Sequence, residues 1–400
     1  MVGPLDGIRV LDLTTMVSGP IATMMLGDQG ADVIKIEAPS GDLMRHYGVK
    51  HRGMSASFLS CNRSKRSLCV DLKTAEGLQI VKRLVVGADV LVQNFRPGAI
   101  ERMGLGEEVV RGLRPDIVFV SISGVGETGP FAHQRVYDPV IQALSGLAEI
   151  QADGESGRPR MVRTIIPDKT TAVTAAQAIT AALLARERGA RGQHVRLSML
   201  DTMVAYLWPE ASSSLSFVGH ERDPARGQMG LDLVFETRDG FITAGALSDA
   251  EWAGMCRAFE REDLVDDPRF KTTQARAENV VERRAIMTAE IAKWASAEIL
   301  ARLDGEAVPC APILSRYQVI EDAQVRENKL IEEHDDATLG KVRQPRPAAR
   351  FDATPAAIRS LAPFLGADNA AILSELGYAE DEIERLAAHR VLHQEPGNEG

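Results

Sequence analysis

One carboxylate, Asp168 in the segment TIIPDKTTA (164–172), stands where an irregular, Arg-rich stretch gives way to a long run of Ala and Thr. Aspartate is a favoured helix N-cap, because its carboxylate accepts hydrogen bonds from the free amides of the first turn. An ionised carboxylate can also act as a nucleophile toward an activated carbonyl group. The local sequence favours the cap and leaves the nucleophile open.

A glycine-rich motif, GVGETG (124–129), follows a β-branched run and matches the GxGxxG pattern of dinucleotide-binding turns. Pro130 follows at once, and the next residues, FAHQRVYDP, do not open as a helix. The strand-ending acidic residue that such a site needs is also missing. These features argue against NAD, although the glycines still allow a ligand to come close to the backbone.

Several basic residues cluster around the predicted loop ends of an otherwise acidic chain: Arg63, Lys65, Arg66, Arg96, Arg102 and Arg135. At the ligand edge of an α/β sheet such a group would suit phosphate recognition. Solvated surface charge is the alternative. His133 and Tyr137 have no spacing that identifies a catalytic partner for Asp168, and His220 lies in a turn-rich, solvated stretch.

The elements that must position these residues are clearest in the N-terminal third. Short β-branched runs occupy 8–14, 32–39, 67–72, 89–95 and 116–123, and a helical pattern occupies 73–88. Strands that alternate with helices indicate βαβ units and a mostly parallel sheet with helices on its faces. The fold class is therefore α/β.

The later segments predict one long helix, a domain boundary and a second domain. Residues 169–188 read as a buried helix that ends before Gly189, and 194–201 as a strand leading into a helix. The turn-rich stretch 216–230 predicts a boundary. Two extended runs in 233–246 flank Asp239-Gly240, which suits a type I′ hairpin turn. Residues 340–351 read as extended and 369–389 as helical.

These patterns divide the chain into three parts. Residues 1–215 form the first part of a large domain, 230–315 form a smaller α+β domain, and 316–400 return to complete the large one. A chain of 400 residues is long enough for two hydrophobic cores.

Charge and composition exclude several classes of protein. The net charge of −10 argues against a nucleic acid or an anionic membrane as the main partner. The N-terminus lacks the pattern of a secretory signal, and the longest weakly polar run, 171–185, is too short and too polar to span a membrane. The four cysteines form no CxxC pair, which argues against zinc and against a disulfide framework. We therefore expect a soluble, cytoplasmic protein without a metal site.

Six blocks of the chain closely resemble the class III CoA-transferase family, which includes formyl-CoA and carnitine CoA-transferases and the α-methylacyl-CoA racemases. The blocks are PLDGIRVLDLTTMVSGPIATMMLGDQGADVIKIEAPSGD, NRSKRSLCVDLKTAEG, DVLVQNFRPGAIERMGL, SISGVGETGP, YDPVIQALSGL and RGQHVRLSMLD, in this order. The resemblance runs from about residue 4 to about residue 390.

The resemblance implies a fold, an assembly and a nucleophile. It implies a Rossmann-like large domain made from both chain ends, a small domain between them, and two subunits interlocked like links of a chain. The family's catalytic aspartate opens a helix after an irregular segment, and Asp168 holds that place. The interpretation of Asp168 thus turns toward a nucleophile that forms an aspartyl-CoA thioester, with no metal or redox cofactor required.

The resemblance also implies where CoA binds. Val17 and Ser18 would lie near its thioester end. The residues that would line its nucleotide end are Val70, Asp71, Leu72, Lys73, Asn94, Phe95, Arg96 and Arg102. Those that would border the pantetheine path are Arg135, Val136, Tyr137 and Asp138.

Three differences from the family's patterns bear on CoA binding, on the expected substrates and on the type of reaction. Formyl-CoA transferases place an arginine where this chain has Ala38, and a flexible glycine run where its segment 243–252 has only Gly245. Ala38 implies that one phosphate contact of those enzymes is missing here. The different loop at 243–252 implies that formate and oxalate are not the expected substrates. The racemases carry a histidine where this chain has Tyr137. Tyrosine in model peptides has a pKa of about 10, so a phenol is a poor base at neutral pH.

The leading hypothesis is an enzyme that transfers CoA from an acyl-CoA donor to a small carboxylic acid through Asp168. Its substrates are CoA thioesters, it has no tightly bound cofactor, and it is a homodimer. An acyl-CoA racemase or epimerase, which needs a second acid/base residue, is one alternative. A non-catalytic acyl-CoA-binding protein is the other, and the presence of Asp168 argues against it.

Overall fold

The computed structural model describes residues 3–153, 156–221 and 233–395. It divides into a larger unit, Met1–Gln151, Arg160–Leu207 and Lys329–Gly400, and a smaller unit, Ala152–Pro159 and Trp208–Asn328. The domain limits inferred from the sequence stay a prediction; residues 316–328 group here with the smaller unit. Part of the predicted boundary, 222–230 of 216–230, lies outside the described residues.

The strands and helices of the described residues have the following bounds. The strands are β1 Arg9–Asp12, β2 Asp32–Glu37, β3 Lys50–His51, β4 Met54–Ser55, β5 Arg66–Cys69, β6 Val90–Gln93, β7 Val118–Ser123, β8 His194–Ser198, β9 Val234–Glu236, β10 Phe241–Ala244, β11 Cys310–Pro312, β12 Ile331–Asp336 and β13 Gly340–Pro345. The helices are α1 Ser18–Asp28, α2 Ala56–Asn62, α3 Ala75–Val86, α4 Ala99–Arg102, α5 Glu107–Leu113, α6 Asp138–Leu144, α7 Leu147–Ile150, α8 Ile166–Glu187, α9 Met199–Leu207, α10 Asp249–Ala258, α11 Thr273–Glu278, α12 Val280–Ile291, α13 Ser296–Gly305, α14 Arg316–Glu321, α15 Ala323–Glu327, α16 Asn369–Glu375 and α17 Glu380–Ala388.

A six-stranded parallel sheet forms the centre of the larger unit, as the alternation of strand and helix predicts. Its order is β5-β2-β1-β6-β7-β8, which is the doubly wound order with a switch point between β1 and β6. Side chains alternate across the sheet, so that Leu11 enters the core shared with α3 while Val10 enters the core shared with α1 and α8. Both faces of the sheet are therefore covered, and ligands of such sheets bind at the carboxyl ends of the strands.

Helix α8 begins three residues earlier than the sequence predicts. It starts at Ile166, and its N-cap residue, Ile165, offers no side-chain hydrogen bond. Proline is tolerated in a first turn because its missing N–H would have no intrahelical partner there, so Pro167 does not delay the helix. Asp168 is therefore the third helical residue, and the prediction that it is the N-cap is wrong. The predicted C-terminal end is confirmed, since Arg188 follows the helix and Gly189 has φ +93°.

The smaller unit holds a three-stranded antiparallel sheet, β11-β10-β9, with α10 to α13 packed around one core. The predicted hairpin is confirmed as β9 and β10, but the type I′ turn is wrong, because neither Asp239 nor Gly240 has positive φ. Four residues, 237–240, connect the strands. The Asp239 carboxylate accepts a hydrogen bond of 2.7 Å from the amide of Ser296, the first residue of α13. That bond ties the turn to the helix.

The return segment adds a hairpin and two short helices to the larger unit. β12 and β13 pair antiparallel, with Ile331 opposite Pro345. The predicted single helix over 369–389 is instead α16 and α17, because Gly377 between them has φ +83°. Throughout the described ranges, we find no helix both long and apolar enough to cross a membrane.

Two buried ion pairs hold the turn that follows β1. Lys65 Nζ donates to Asp12 Oδ2 at 2.8 Å, and both side chains are fully buried. Lys35 Nζ donates to Asp42 Oδ2 at 3.1 Å and to the Thr14 carbonyl at 2.9 Å. Burial lowers the pKa of Lys65 to about 8. Burial would raise the pKa of Asp12, but the Lys65 and Lys35 ammonium groups hold it well below its usual range.

The same acids bind the backbone of this turn. Asp12 Oδ1 accepts the Thr14 amide at 2.9 Å, and Asp42 Oδ1 accepts the Met16 amide at 3.1 Å. Met16 has φ +70°, a conformation that an L residue keeps only when its surroundings impose it. The ion pairs therefore fix the path of the chain into α1.

Lys65→Met should strongly destabilise the protein, because it leaves the buried Asp12 charge without its cation. Removing one partner of a buried pair costs about 3–5 kcal/mol. Lys50→Met on β3 is the control, since Lys50 is exposed and surface changes stay within about 0.5 kcal/mol. Thermal unfolding followed by circular dichroism measures both, and the double variant Asp12→Leu/Lys65→Met should recover part of the loss. Equal midpoints for the two single lysine variants would contradict the role given to this pair.

Candidate active site

Asp168 lies in the first turn of α8, and its carboxylate meets the first residue of α1. Ser18, which is 4% exposed, donates to that carboxylate from both its hydroxyl and its backbone amide. The free amides at a helix start favour a negative charge, and here the starts of two helices act on one carboxylate. The Asp168 carboxylate is thus held by a neighbouring helix rather than by its own.

A second carboxylate, that of Asp138, caps α8. Asp138 is the first residue of α6 and is 3% exposed. Its Oδ2 accepts from the Asp168 backbone amide at 3.2 Å, and its Oδ1 accepts from Gln142 Nε2 at 2.6 Å. Because Asp138 does the capping, the side chain of Asp168 is free for another role.

The environment of Asp168 makes it a weaker acid than an ordinary aspartic acid. Burial raises its pKa to about 6, the nearby Asp138 charge adds to the rise, and the Ser18 hydrogen bonds oppose it. Asp168 is therefore ionised at neutral pH and protonated in mild acid. Such a perturbed carboxylate at the ligand edge of a sheet is typical of a functional site.

Residues that follow β1 and β6, the two strands at the switch point, hold the turn before Ser18 in place. Asn94, which follows β6, accepts from the Thr15 amide at 2.9 Å and donates to the Thr15 carbonyl at 2.8 Å. Gly19 lies so close to Thr14 that a Cβ there would stand 2.3 Å from the Thr14 Cβ. Only glycine therefore lets α1 start at this point.

The structure brings together some of the predicted site residues and separates others. Val17 and Ser18 begin α1, and Asp138 and Asp168 meet beside Ser18. Asn94 contacts the same turn through Thr15. The residues 70–73 follow β5, two strands away from β1 in the sheet, and no described side-chain bond joins them to Asp168.

The predicted CoA-binding residues differ in what they expose. Val70 is fully buried and Leu72 packs on the same core, so these two could meet a ligand only through their backbones. Phe95 also packs on that core. The exposed members of the set are Lys73, Arg96, Arg102, Arg135 and Tyr137. Asp71 is half-buried, and Val136 is half-buried against Gly124.

Three basic residues that the sequence grouped with these are not available to a phosphate. Arg63 forms an ion pair with Asp28 at 2.8 Å, and Lys65 with Asp12 at 2.8 Å. Arg66 pairs with Asp32 at 2.7 Å. All three precede or open β5, and their charged groups are already paired with carboxylates, so their expected part in phosphate recognition is wrong.

Sequence reasoning missed a hydrogen-bonded chain beside the 94–98 loop. His194 Nδ1 lies 2.6 Å from Glu107 Oε2, and His194 Nε2 lies 2.8 Å from Ser121 Oγ. Gln93 Nε2 donates to Ser121 Oγ at 2.8 Å, and Gln93 Oε1 accepts the Phe95 amide at 2.8 Å. These hydrogen-bonded residues line a cleft of about 240 Å³, and Arg96 is part of the same lining. No spacing in the sequence signals this group, because its members come from separate elements.

A doubly wound sheet with a half-buried carboxylate at its ligand edge defines the chain as an α/β protein with a candidate active site at the carboxyl ends of its strands. The chain belongs to CoA-transferase family III, which it matches over residues 5–369. It is 37% identical over 400 residues to succinyl-CoA:glutarate CoA-transferase of Mus musculus, with 98% of this chain and 91% of that protein covered. The protein is accordingly a family III CoA-transferase.

Other similar proteins agree with this assignment. Succinate–glutarate CoA-transferase of Agrobacterium fabrum is 34% identical over 400 residues, with 96% of this chain and 97% of that protein covered. The crystal structure of a CaiB/BaiF family protein from Brucella suis is 31% identical and superposes with a TM-score of 0.82, covering 94% of this chain and all of that one. The fold is thus shared with a solved structure.

Asp168→Asn should stabilise the protein at pH 7.5 and change little near pH 4.5. A folded pKa of about 6 exceeds the unfolded one, so the native state binds the extra proton in this range. Stability is then lost as pH rises toward and through 6, at a cost of up to about 1–3 kcal/mol that the neutral amide avoids.

Thermal midpoints at the two pH values measure this effect. Asp201→Asn is the control, because Asp201 also lies in a first turn, that of α9, but is exposed. The same Asp168→Asn shift at both pH values would show that the carboxylate has an ordinary pKa.

Proposed function

We propose that this CoA-transferase moves CoA from an acyl-CoA donor to a carboxylic acid through a thioester on Asp168. The observation that carries the proposal is the half-buried Asp168 carboxylate, held by Ser18 at the start of α1. Its raised pKa still leaves it ionised at neutral pH and makes it more basic than an ordinary aspartate. Greater basicity favours attack on a thioester carbonyl.

The reaction is a double displacement in which Asp168 is consumed and regenerated. A carboxylate oxygen of Asp168 attacks the thioester carbonyl carbon, the C–S bond breaks, and CoA leaves as the thiolate. The donor acyl group is then joined to Asp168 in a mixed anhydride. The thiolate then attacks the Asp168 carbonyl carbon, which releases the donor acid and leaves an aspartyl-CoA thioester. The acceptor carboxylate repeats the two steps in reverse and departs as the new CoA ester.

Ser18 supplies electrostatic stabilisation in this mechanism. When the thiolate adds to the Asp168 carbonyl carbon, negative charge develops on an oxygen of that group. The Ser18 amide and hydroxyl already donate to the Asp168 carboxylate in the resting protein. Preorganised donors of this kind lower a barrier without reorganising during the step, and the start of α1 adds positive potential.

The loops at the carboxyl ends of β1, β5 and β6 are assigned to CoA. Arg96 and Arg102 are exposed near the end of β6 and suit the phosphates, and Lys73 is exposed after β5. Asn94 acts indirectly, since its amide group holds Thr15. Tyr137 and Arg135 are exposed just before Asp138, where the pantetheine arm would reach Asp168.

We assign a dicarboxylic acid as acceptor and succinyl-CoA as donor. Both named relatives described above are succinate- and glutarate-dependent CoA-transferases. Two exposed cations flank the first turn of α8: Arg163, and Lys169, whose Nζ donates to Thr164 Oγ1 at 2.9 Å. A second carboxylate on the substrate would find a positive charge there.

The proposal includes an interlocked homodimer, as the family resemblance implies. The larger unit exposes large apolar side chains, among them Tyr47 at 67%, Val49 at 78% and Tyr206 at 61%. Exposed apolar surface of this kind is typical of protein–protein contacts.

Asp168→Asn and Asp168→Ala should each lower CoA transfer from succinyl-CoA to glutarate by about a thousandfold or more, because the nucleophile is lost. Wild-type protein mixed with succinyl-CoA alone should gain the mass of CoA less water on the peptide that contains Asp168. Hydroxylamine should remove that adduct.

Asp201→Asn is the matched control and should transfer CoA at the wild-type rate. Isothermal titration with free CoA should show that Asp168→Asn still binds it. Wild-type turnover in Asp168→Ala, or an adduct on another peptide, would refute the mechanism.

The double variant Arg96→Ala/Arg102→Ala should raise KM for succinyl-CoA about tenfold, which is about 1.4 kcal/mol, while kcat changes little. Contacts to phosphates far from the reacting carbon contribute equally to the ground state and the transition state. Arg188→Ala, at an exposed position after α8, is the control. An unchanged KM in the double variant would make these two arginines ordinary surface charges.

A further inference from the structure

Two arginines are buried in the smaller unit, one on each of two consecutive helices. Arg276 on α11 has no exposed surface, and Arg283 on α12 is 7% exposed. Arg283 shares its side of α12 with the buried apolar residues Val280 and Met287. A guanidinium keeps its charge in proteins, so both sites hold a buried cation.

Arg276 is partly satisfied by protein groups. Its Nη1 donates to the Phe270 carbonyl at 3.0 Å, and its Nη2 donates to Asp249 Oδ1 at 2.7 Å and to the Leu247 carbonyl at 3.1 Å. Its Nε is buried and has no partner among the described residues. One donor of Arg276 therefore remains unused.

Arg283 has no protein partner for its side chain within the described residues. Its Nε and Nη1 are fully covered and make no hydrogen bond. Burial, together with the like charge of Arg276, lowers its pKa. Taking an ion out of water costs several kcal/mol unless an opposite charge and hydrogen bonds compensate. A buried arginine beside a second arginine lacks both.

Glu278, the last residue of α11, is exposed and accepts from Gln274 Nε2 at 3.0 Å. The two acids on α12 form ion pairs with other residues. Glu282 pairs with Arg269. Glu290 pairs with Arg261 at 2.8 Å. Asp249 pairs with Arg276 at 2.7 Å, and no carboxylate of the described residues pairs with Arg283. The described part of the unit thus provides a donor-rich position with two buried cations and one paired carboxylate.

We propose that the smaller unit binds a small oxyanion, a phosphate or a carboxylate, at Arg283 with help from the Nε of Arg276. The planar guanidinium presents donors that match two oxygens of such a group. The anion accepts hydrogen bonds from the three orphaned nitrogen atoms and reduces the repulsion between the two arginines. Chloride has no pair of oxygens to match the two donors of the guanidinium and binds more weakly. This site is independent of the chemistry at Asp168.

The test compares wild type with Arg283→Met, using the full-length protein. In a zwitterionic buffer with chloride as the only added anion, Arg283→Met should unfold at a higher temperature than wild type, because the methionine fills the apolar position without a charge. Replacing chloride by phosphate or acetate at constant ionic strength should stabilise wild type in a saturable way. The same exchange should leave Arg283→Met unchanged, or stabilise it with at least tenfold weaker apparent affinity.

Arg284→Met, one residue further along α12 and half-buried, is the matched control and should respond to phosphate as wild type does. Because phosphate can also bind where CoA phosphates do, only the part of the response that depends on Arg283 counts. If Arg283→Met does not fold, titration of phosphate into wild type and Arg283→Lys replaces it, with at least tenfold weaker binding expected for lysine. Equal phosphate responses in wild type and the Arg283 variant would overturn the proposal.

Discussion

The buried pairs Asp12–Lys65 and Lys35–Asp42 are the constraint on which the rest of the larger unit depends. They join β1, β2 and the segment before β5 to the turn that enters α1. Without these pairs, the turn would lose the contacts that impose the positive φ of Met16 and fix the start of α1 at Ser18. Buried ion pairs are costly to form and add little net stability, but they specify one arrangement when every donor and acceptor is satisfied.

The two aspartates of the candidate site, Asp138 and Asp168, have different structural roles. A helix start normally occupies the nearest carboxylate, and the sequence alone assigns Asp168 to that task. In the structure Asp138, carried by a different helix, accepts the Asp168 amide. The side chain of Asp168 then turns to Ser18, where hydrogen bonds and burial set its acidity. A carboxylate can thus lie in the first turn of a helix without serving as its cap.

The sequence predicted the elements that depend on local periodicity, and it missed the contacts between residues that are far apart in the sequence. Strands such as 116–123 were visible because β-branched residues recur, and the structure confirms β7 within that range. The charges of Arg63 and Lys65 were equally visible, but only the fold shows that Asp28 and Asp12 neutralise them. The hydrogen bonds of His194 could not be predicted either. His194 and Ser121 are 73 residues apart in the sequence, and only the parallel pairing of β7 and β8 brings them together.

The closeness of Asp138 to Asp168 has a consequence for the lifetime of a covalent intermediate. In the resting enzyme the two negative charges oppose each other, which is part of why the pKa of Asp168 is raised. On the proposed mechanism, converting Asp168 to a neutral thioester removes one of those charges. The repulsion present in the free enzyme is then released when the intermediate forms, so the equilibrium shifts toward the loaded enzyme. A loaded enzyme that is favoured in this way can wait for its acceptor instead of returning CoA to the donor.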